Sequence, residues 1–336
     1  MTIAEIATKA GCSVATVSRV VNDSGYVAQE TRERVESVIR HHQYHPNHSG
    51  RSLGRKRTNL VLAFMPAMDT AFYADILKSL RRVLSTHGYH VLLCDTEKSL
   101  EIERQFLHML QGQGVDGAVL FSPKLKAKEY RELNSQFPLV FCCEDVDDSG
   151  VACVSIDNHI AAQDAVNGLI SLGCRRVAHI TGTEGVSSER RRMEGYRQAL
   201  SDAGIEFDSD LICFSEYTFE GGKQVCDLLF ERKTAFDGVF VTSEEMAAGV
   251  LESVREHGLT VGKDIALIAC DDTSIAKICN PPLTTVCQPL SELGYATGRL
   301  LLEQLESPAG VLPRTRTVHL PHKITVRGST WEETWL

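Results

Sequence analysis

Several common sequence patterns are missing from this chain of 336 residues. No apolar run approaches the ~20 residues of a membrane span, and the first residues form an amphipathic helix pattern rather than a signal peptide, so a cytoplasmic protein is expected. The eleven cysteines show no CxxC spacing, so no metal site is expected and the thiols are interpreted as reduced. No motif for nucleophilic catalysis stands out, and neither a dinucleotide nor a P-loop site, nor any other cofactor, is expected.

The sequence does carry an uneven distribution of charge. Residues 1–58 hold nine basic against five acidic side chains, whereas the remainder holds 26 basic against 39 acidic ones. With 43% apolar residues, the chain can bury one or two sizeable cores beside a small N-terminal unit. A basic end on an acidic body is the electrostatic footprint of a protein that binds DNA with one end only.

The first 22 residues have the pattern of two short helices joined by a turn. Thr2 and Glu5 have capping-box spacing, and apolar residues then recur along one stripe of residues 3–10. Gly11 permits a sharp turn, and Ser13 is placed to cap a second helix. This is the spacing of a DNA-binding helix-turn-helix, although an ordinary αα-hairpin with a glycine turn has the same local pattern.

The second of these helices separates its side chains into two faces. The residues expected to face inward are Val17, Val20 and Val21. The residues expected to face outward near its N-terminal half are Val14, Ala15, Ser18 and Arg19. In a helix-turn-helix, side chains so placed reach base edges, while short hydroxyl side chains hold phosphates.

A third helix and a basic segment follow. Val35, Val38 and Ile39 form a narrow apolar stripe that would close a three-helix core. Pro46 ends the preceding element, and the glycines in residues 47–57 weaken any helix there. This segment is open to two interpretations. It is either a flexible basic linker or a hinge that folds on DNA and inserts Leu53 into the minor groove.

Residues 2–57 resemble the DNA-binding head of the LacI/GalR (lactose/galactose repressor) family. The matching strings are SVATVSRVVN (13–22), TRERV (31–35), YHPN (44–47) and RSL (51–53). The resemblance implies that Val14, Ala15 and Arg19 read bases and that Leu53 is the hinge wedge. It implies phosphate contacts for Thr2, Thr16, Ser18, Asn22 and Thr31. The DNA-binding set is completed by Ser13, Asn47 and Arg51.

Two positions of the head depart from the family pattern. Ala28 stands where the family usually has a serine cap, so the third helix is expected to begin without a side-chain cap. Gly50 replaces the usual alanine, which makes folding of the hinge costlier and more dependent on DNA.

The body alternates strands with helices. Apolar runs of strand length occur at 60–66, 90–96, 116–122, 138–144, 177–182, 211–216, 238–243 and 265–271, separated by amphipathic stretches. This alternation indicates parallel sheets covered on both faces, in two sets with a cleft between them. The family resemblance continues to about Thr330. It implies a periplasmic-binding-protein-like core whose two lobes are crossed three times.

The predicted fold class is therefore an N-terminal all-α helix-turn-helix head plus an α/β periplasmic-binding-protein-like core of two Rossmann-like lobes. The expected domains are a head at 1–45, a hinge at 46–58 and a core at 59–330. Within the core, the N-lobe is expected at about 59–157 and 287–317, and the C-lobe at about 158–286 and 318–330. Residues 331–336 form a short tail.

Candidate effector residues follow the predicted strands of the body. Phe72 and Tyr73 offer ring faces for a ligand, although core packing is an equal alternative. Three arginines in one first helical turn, residues 190–192, oppose the helix dipole, so at least one should have an acidic partner. The resemblance implies effector contacts for Arg190 and Asp271, with Tyr217 stacking on the ligand. The remaining members of the predicted set are Arg192, Ser243 and Gln288. The Ser-Glu pair at 243–244 departs from the usual Asn-Asp.

These features predict a transcriptional regulator, with a repressor expected, that binds a palindromic operator as a nucleoid-associated homodimer. A sugar-like effector in the cleft would control it, and the neighbouring Arg191 and Arg192 add a sugar phosphate or another anionic ligand as an option. The strings YTFEGG (217–222) and ITVRGST (324–330) resemble the nucleoside-responsive branch, so a nucleoside or purine effector is the alternative. An enzyme or a solute-binding protein using the same cleft is the alternative of another class. The Cys142–Cys143 pair and Cys12 are interpreted as packing residues or redox sensors.

Overall fold

A computed structural model describes residues 1–21, 23–42, 57–68, 70–112, 114–182, 185–307 and 316–330. The chain divides into two compact units, Met1–Thr58 and Asn59–Leu336. Four of the predicted DNA-binding residues lie outside the described residues: Asn22, Asn47, Arg51 and Leu53. Most of the predicted hinge and the tail at 331–336 also lie outside them.

The N-terminal unit contains a three-helix core. Its helices are α1 (Ile3–Ala10), α2 (Val14–Val21) and α3 (Gln29–His41). The capping box of Thr2 and Glu5 is formed, and Gly11 ends α1 with a φ of 62°. The Ser13 hydroxyl accepts a hydrogen bond from the backbone nitrogen of Thr16 at 3.1 Å, and Ala28 provides no side-chain cap for α3. The buried core residues are Ile6, Ala7, Ala10, Val17, Val20 and Val35. The predicted local structure of the head is thus confirmed.

The first lobe of the core is built on one parallel sheet, with strand order β11-β5-β4-β3-β1-β2. Its strands are β1 (Leu60–Met65), β2 (His90–Asp95), β3 (Gly117–Leu120), β4 (Leu139–Cys142), β5 (Ala152–Ile156) and β11 (Thr317–Leu320). Its helices are α4 (Ala71–Thr86), α5 (Leu100–Gln111), α6 (Ala127–Asn134) and α12 (Leu290–Leu305). The spacing GxGxxG does occur once, at 112–117, but it precedes β3 instead of following a strand, the reverse of the order in a dinucleotide site.

The second lobe is built on a second sheet, with strand order β12-β10-β9-β8-β6-β7, in which only β12 is antiparallel to its neighbour among the described strands. Its strands are β6 (Val177–Thr181), β7 (Ile212–Phe214), β8 (Gly238–Val241), β9 (Ala266–Asp271), β10 (Thr284–Cys287) and β12 (Lys323–Thr325). Its helices are α7 (Asn158–Ser171), α8 (Ser187–Asp202), α9 (Phe219–Glu231), α10 (Glu244–Glu256) and α11 (Ser274–Ile278), with a short 3-10 turn at Ser209–Leu211.

All eight apolar runs form strands, and the chain passes between the lobes three times, after β5, after β10 and between β11 and β12. The third crossing was predicted at 317–318, and this position is wrong. Strand β11 extends to Leu320 and pairs with β5 in the first lobe. The eight runs did not include β5, β10, β11 or β12. Strands β11 and β12 are four and three residues long and only partly buried, so they lack an apolar run of strand length.

Candidate functional site

Helix α2 exposes the side chains that the sequence predicted for base reading. Val14 is 46% exposed, and Ala15 and Arg19 are exposed beside it. The remaining predicted DNA-binding residues within the described ranges, Thr2, Ser13, Thr16, Ser18 and Thr31, are exposed or partly exposed. The valines on the opposite side of α2 are packed in the three-helix core, so the helix is held by one face and free to present the other.

Tyr26 is a further candidate for DNA contact that the motif did not include. Its side chain is 88% exposed in the turn between α2 and α3. Asp23 and Gly25, on its N-terminal side, have positive φ values of 46° and 73°, and Arg32 holds Asp23 at 2.9 Å. A ring this exposed in the turn that follows α2 is accessible to a partner molecule. That exposure, rather than any spacing, is the signal that identifies it.

The core contains a cavity of about 440 Å³ between its two lobes. The first lobe contributes residues that follow β1, β2, β3 and β4. The second lobe contributes residues at the start of α7, in and just before the first turns of α8, after β7, β8 and β10, and at the end of β9. Carboxyl ends of parallel strands are where ligands bind in open α/β sheets. Seven of the eight predicted effector residues line this cavity: Phe72, Tyr73, Arg192, Tyr217, Ser243, Asp271 and Gln288.

Arg190 does not line the cavity, contrary to the effector contact there that the resemblance implied for it. Its guanidinium lies on the surface, 2.8 Å from Asp147 and 3.5 Å from Glu194. Successive residues of a helix point about 100° apart, so only one of three adjacent arginines can face inward. Arg192 is that residue, with only 7% of its surface exposed.

The guanidinium of Arg192 is fixed by polar groups at the floor of the cavity. Its Nε donates to Asn158 Oδ1 at 2.9 Å, and its Nη1 donates to the backbone oxygen of Thr242 at 3.3 Å. Burial alone would lower the pKa of Arg192, but neighbouring ionisable groups, Asp271 and Glu144 among them, raise it above its ordinary value. Arg192 is therefore a fixed cation with a planar set of donors.

Asp271 provides the acceptor on the same side of the cavity. It ends β9, is 9% exposed, and accepts a hydrogen bond from Gln288 Nε2 at 2.7 Å. Burial raises the pKa of Asp271 to about 7, Arg192 opposes this shift, and Glu244 adds to it. The carboxyl group thus changes charge near neutral pH. Asp272 faces away and binds Arg327, as the alternation of adjacent residues predicts.

Aromatic rings form the other wall of the cavity. Phe72 and Tyr73 meet edge to face at 5.1 Å, and Tyr73 meets Phe121 at 5.5 Å. Both also pack on the core of the first lobe, which is the core-packing alternative considered for this pair, while their cavity position leaves a ligand contact as a prediction. Tyr217 donates its hydroxyl to Glu189 Oε1 at 2.8 Å, which fixes its ring on the opposite lobe. Ser243 lines the cavity while capping α10 through the nitrogen of Met246.

Glu144 is a cavity residue that sequence reasoning missed. It follows β4 in the first lobe and accepts hydrogen bonds from the second: from Ser187 Oγ at 2.8 Å, from the nitrogen of Ser188 at 2.9 Å and from Ser188 Oγ. Burial raises the pKa of Glu144, and these hydrogen bonds lower it in part. The acidic run at 144–147 opposite the arginines of α8 was the available signal, but only the fold brings the two together.

The charge of the cavity does not favour a sugar phosphate, the option raised by the neighbouring arginines. Arg191 lies outside the cavity and pairs with Asp145 at 2.7 Å. The described lining holds two cationic side chains, Lys98 and Arg192, against three carboxyl groups. An anionic ligand would therefore meet a cavity whose formal charge is already negative when its carboxyl groups are ionised. Because burial raises the pKa of Glu144 and Asp271, the two cations face between one and three ionised carboxylates, and a neutral ligand suits a cavity with so little net charge.

Cys143 also lines the cavity, 3.7 Å from the sulfur of Cys142. A hydrogen bond with Cys142 and burial raise the pKa of the Cys143 thiol well above its ordinary value. A thiol kept protonated reacts slowly with oxidants, which favours packing over redox sensing for this pair.

Within the described ranges no group of three or more potential ligand side chains is arranged to hold a metal ion. None of the described helices combines the length and apolarity needed to cross a bilayer.

Comparisons with known proteins agree with this architecture. Residues 2–47 match the bacterial regulatory proteins of the lacI family, and residues 166–330 match a periplasmic binding protein-like domain. The chain is 32% identical to the ribose operon repressor of Halalkalibacterium halodurans, over 98% of this chain and 97% of that protein. It is 33% identical to the HTH-type transcriptional repressor CytR of Escherichia coli, over 91% of this chain and 90% of that protein.

A solved structure extends the agreement to three dimensions. The complex of the transcriptional regulator CelR with cellobiose matches with a TM-score of 0.73 at 30% identity, covering 98% of this chain and 99% of that one. The head and the two-lobed core therefore occur together in the relatives, which excludes the alternative of an enzyme built on the same cleft. The chain belongs to the LacI family of bacterial regulatory proteins and is a DNA-binding regulator of transcription.

Proposed function

We propose that this regulator is a repressor whose effector is a neutral ring compound with vicinal hydroxyl groups, a sugar or the ribose of a nucleoside. Arg192, on α8, and Asp271, at the end of β9, line one cavity from the second lobe. A planar donor beside a carboxyl acceptor matches two adjacent hydroxyls, which both donate and accept. The aromatic wall made by Phe72, Tyr73 and Tyr217 covers the faces of a ring. This pairing of groups is the observation that carries the proposal.

The names of the relatives support the sugar alternative. One relative is a ribose operon repressor, and a similar solved structure is a complex with cellobiose. The volume of about 440 Å³ lies within the range of about 300–1,000 Å³ for small-molecule sites. Three fixed aromatic rings leave the nucleoside alternative open, since a base would stack on them.

Calorimetric titration of the full-length protein with D-ribose, cellobiose, cytidine and ribose 5-phosphate tests the effector class. One of the three neutral compounds is expected to bind, and ribose 5-phosphate is expected to bind more weakly than D-ribose. Asp271→Ala and Arg192→Ala should abolish binding, whereas Asp210→Ala, which removes an exposed carboxylate from the same lobe, should not. Tight binding of ribose 5-phosphate would contradict the assignment of a neutral effector.

We further propose that the regulator acts in the cytoplasm as a two-fold dimer on a palindromic operator. One head reaches too few base pairs for strong binding, so two heads on symmetric half-sites are needed. The core leaves large apolar side chains exposed that a self-complementary contact would bury, including Leu93 (47%), Phe219 (41%) and Ile278 (79%). Sedimentation of wild type and of Ile278→Asp tests this. A monomeric wild type at micromolar concentration would contradict it.

A further inference from the structure

The turn that carries Asp271 has an unusual backbone. Asp271 and Asp272 have φ values of 112° and 68°, in the left-handed region that side-chain-bearing residues rarely adopt. Two consecutive residues in this region persist only where surrounding contacts hold them. The direction of the Asp271 carboxyl group, at the end of β9, depends on what holds this turn.

Glu244 holds the turn from one side. It is the first residue of α10, and 1% of its surface is exposed. Both oxygens of its carboxylate accept a hydrogen bond from the backbone nitrogen of Thr273, at 2.9 and 3.2 Å. The carboxylate also accepts a hydrogen bond from the Thr273 hydroxyl. That hydroxyl in turn accepts a hydrogen bond from the backbone nitrogen of Ile275 at 3.2 Å, at the start of α11. Glu244 therefore joins the beginning of α10 to the residue that ends the turn.

The ion pair of Asp272 with Arg327 holds the turn from the other side. Asp272 also accepts a hydrogen bond from the hydroxyl of Thr285 at 3.0 Å. Arg327 donates a hydrogen bond to the backbone oxygen of Leu283 at 2.7 Å. The side chains of Asp272 and Thr273 are thus both bound to protein groups, and neither lines the cavity. Asp271 is the residue of the turn that lines the cavity.

We propose that Glu244 is a positioning residue for effector binding, acting through Thr273 on the direction of Asp271, and this rests on the proposed contact between Asp271 and the effector. Glu244 does not itself line the cavity, although the adjacent Ser243 and Glu245 do. A carboxylate in the first turn of a helix also stabilises that helix electrostatically. The hydrogen bonds to Thr273 distinguish the two roles, since helix stabilisation alone does not require them.

Hydrogen exchange of the full-length protein tests the structural half of the proposal without any effector. Glu244→Ala should increase the exchange rate of the Thr273 amide at least tenfold, and Glu244→Gln, which keeps one acceptor oxygen, should increase it less. Glu252→Gln, on the same helix but partly exposed and paired with Arg255, serves as the matched control. Unchanged exchange at Thr273 in Glu244→Ala would overturn the proposal.

Calorimetry with D-ribose, cellobiose and cytidine tests the functional half. Glu244→Ala should weaken the compound that binds wild type at least tenfold, while operator affinity in its absence stays unchanged. In the Asp271→Asn background, Glu244→Ala should have little further effect, because the side chain that it positions is already altered. Equal loss in both backgrounds would overturn the positioning role and leave a purely structural one.

Two further outcomes are separable. If none of the three compounds binds wild type, the proposed effector class fails, and the exchange measurement still decides whether Glu244 orders the turn. If Glu244→Ala unfolds, Thr273→Val provides the same test. It removes the hydroxyl bonded to Glu244 but keeps the backbone amide, and an unchanged Kd together with unchanged exchange in this variant would contradict the proposal.

Discussion

The ion pair of Asp145 and Arg191 joins the two lobes beside the cavity, and its removal should favour an open core. Asp145 follows β4 in the first lobe and Arg191 lies on α8 in the second, with 2.7 Å between Oδ2 and Nη2. The side chains are 17% and 25% exposed. The contribution of this ion pair to stability should therefore lie between two limits. An exposed ion pair contributes up to about 1 kcal/mol, and a hydrogen bond between charged groups contributes about 1.5–3 kcal/mol.

We expect a coupling energy of about 1–2 kcal/mol, which changes the ratio of closed to open cores by about 5–30-fold. Urea unfolding of Asp145→Ala, Arg191→Ala and the double variant measures this coupling. Arg191→Ala should be the more destabilising change, because Arg191 also lies 3.9 Å from Asp147. Small-angle X-ray scattering should show a larger radius of gyration for each variant, and for wild type at about 1 M salt, where screening is strong.

The ion pair of Arg176 and Asp208 is a matched control, since it lies within the second lobe at a similar distance, 2.9 Å. Its removal should not change the radius of gyration. A coupling energy near zero between Asp145 and Arg191, or a radius that does not respond to their loss, would refute the conclusion that this contact stabilises the closed core.

Three further predictions concern the head, the hinge and the cavity. Arg19→Ala should relax base preference at one symmetric position of each half-site by about 1–3 kcal/mol, as measured by binding to a set of operator variants, and equal loss on all sequences would identify Arg19 as a phosphate contact. Leu53→Ala should weaken specific binding with a nearly unchanged salt slope, because no charge is lost, and a large change in slope would contradict the wedge role. Because burial raises the pKa of Asp271 in the folded state to about 7, above its ordinary value of 3.8, ionisation of this group destabilises the folded state increasingly as pH rises from about 4 to 7. Asp271→Asn should therefore gain stability over wild type in that window, by at most about 4 kcal/mol above pH 7, in urea titrations at pH 4 and pH 8, and an equal difference at both would contradict the raised pKa.

Local signals in the sequence determined the head and the strands of the core. The capping box of Thr2, the turn at Gly11 and the cap at Ser13 act within four residues along the chain, so they operate before any tertiary contact forms. Six of the eight apolar runs became strands for a related reason, since residues buried on both faces of a parallel sheet form continuous apolar stretches. The other two, β2 and β7, are edge strands and are more exposed. The predicted positions of Tyr73 and Asp271 in the cleft followed from their places at strand and helix ends.

Tertiary structure decided which way individual side chains point and which residues distant in the sequence come into contact. Which of the adjacent arginines enters the cavity is a matter of helix phase, and the packing of α8 turned Arg192 inward and left Arg190 on the surface. Glu144 meets Ser188 from 44 residues away, and Glu244 meets Thr273 from 29. No spacing rule connects such pairs, because their distances are set by how sheets and helices stack, not by their separation along the chain.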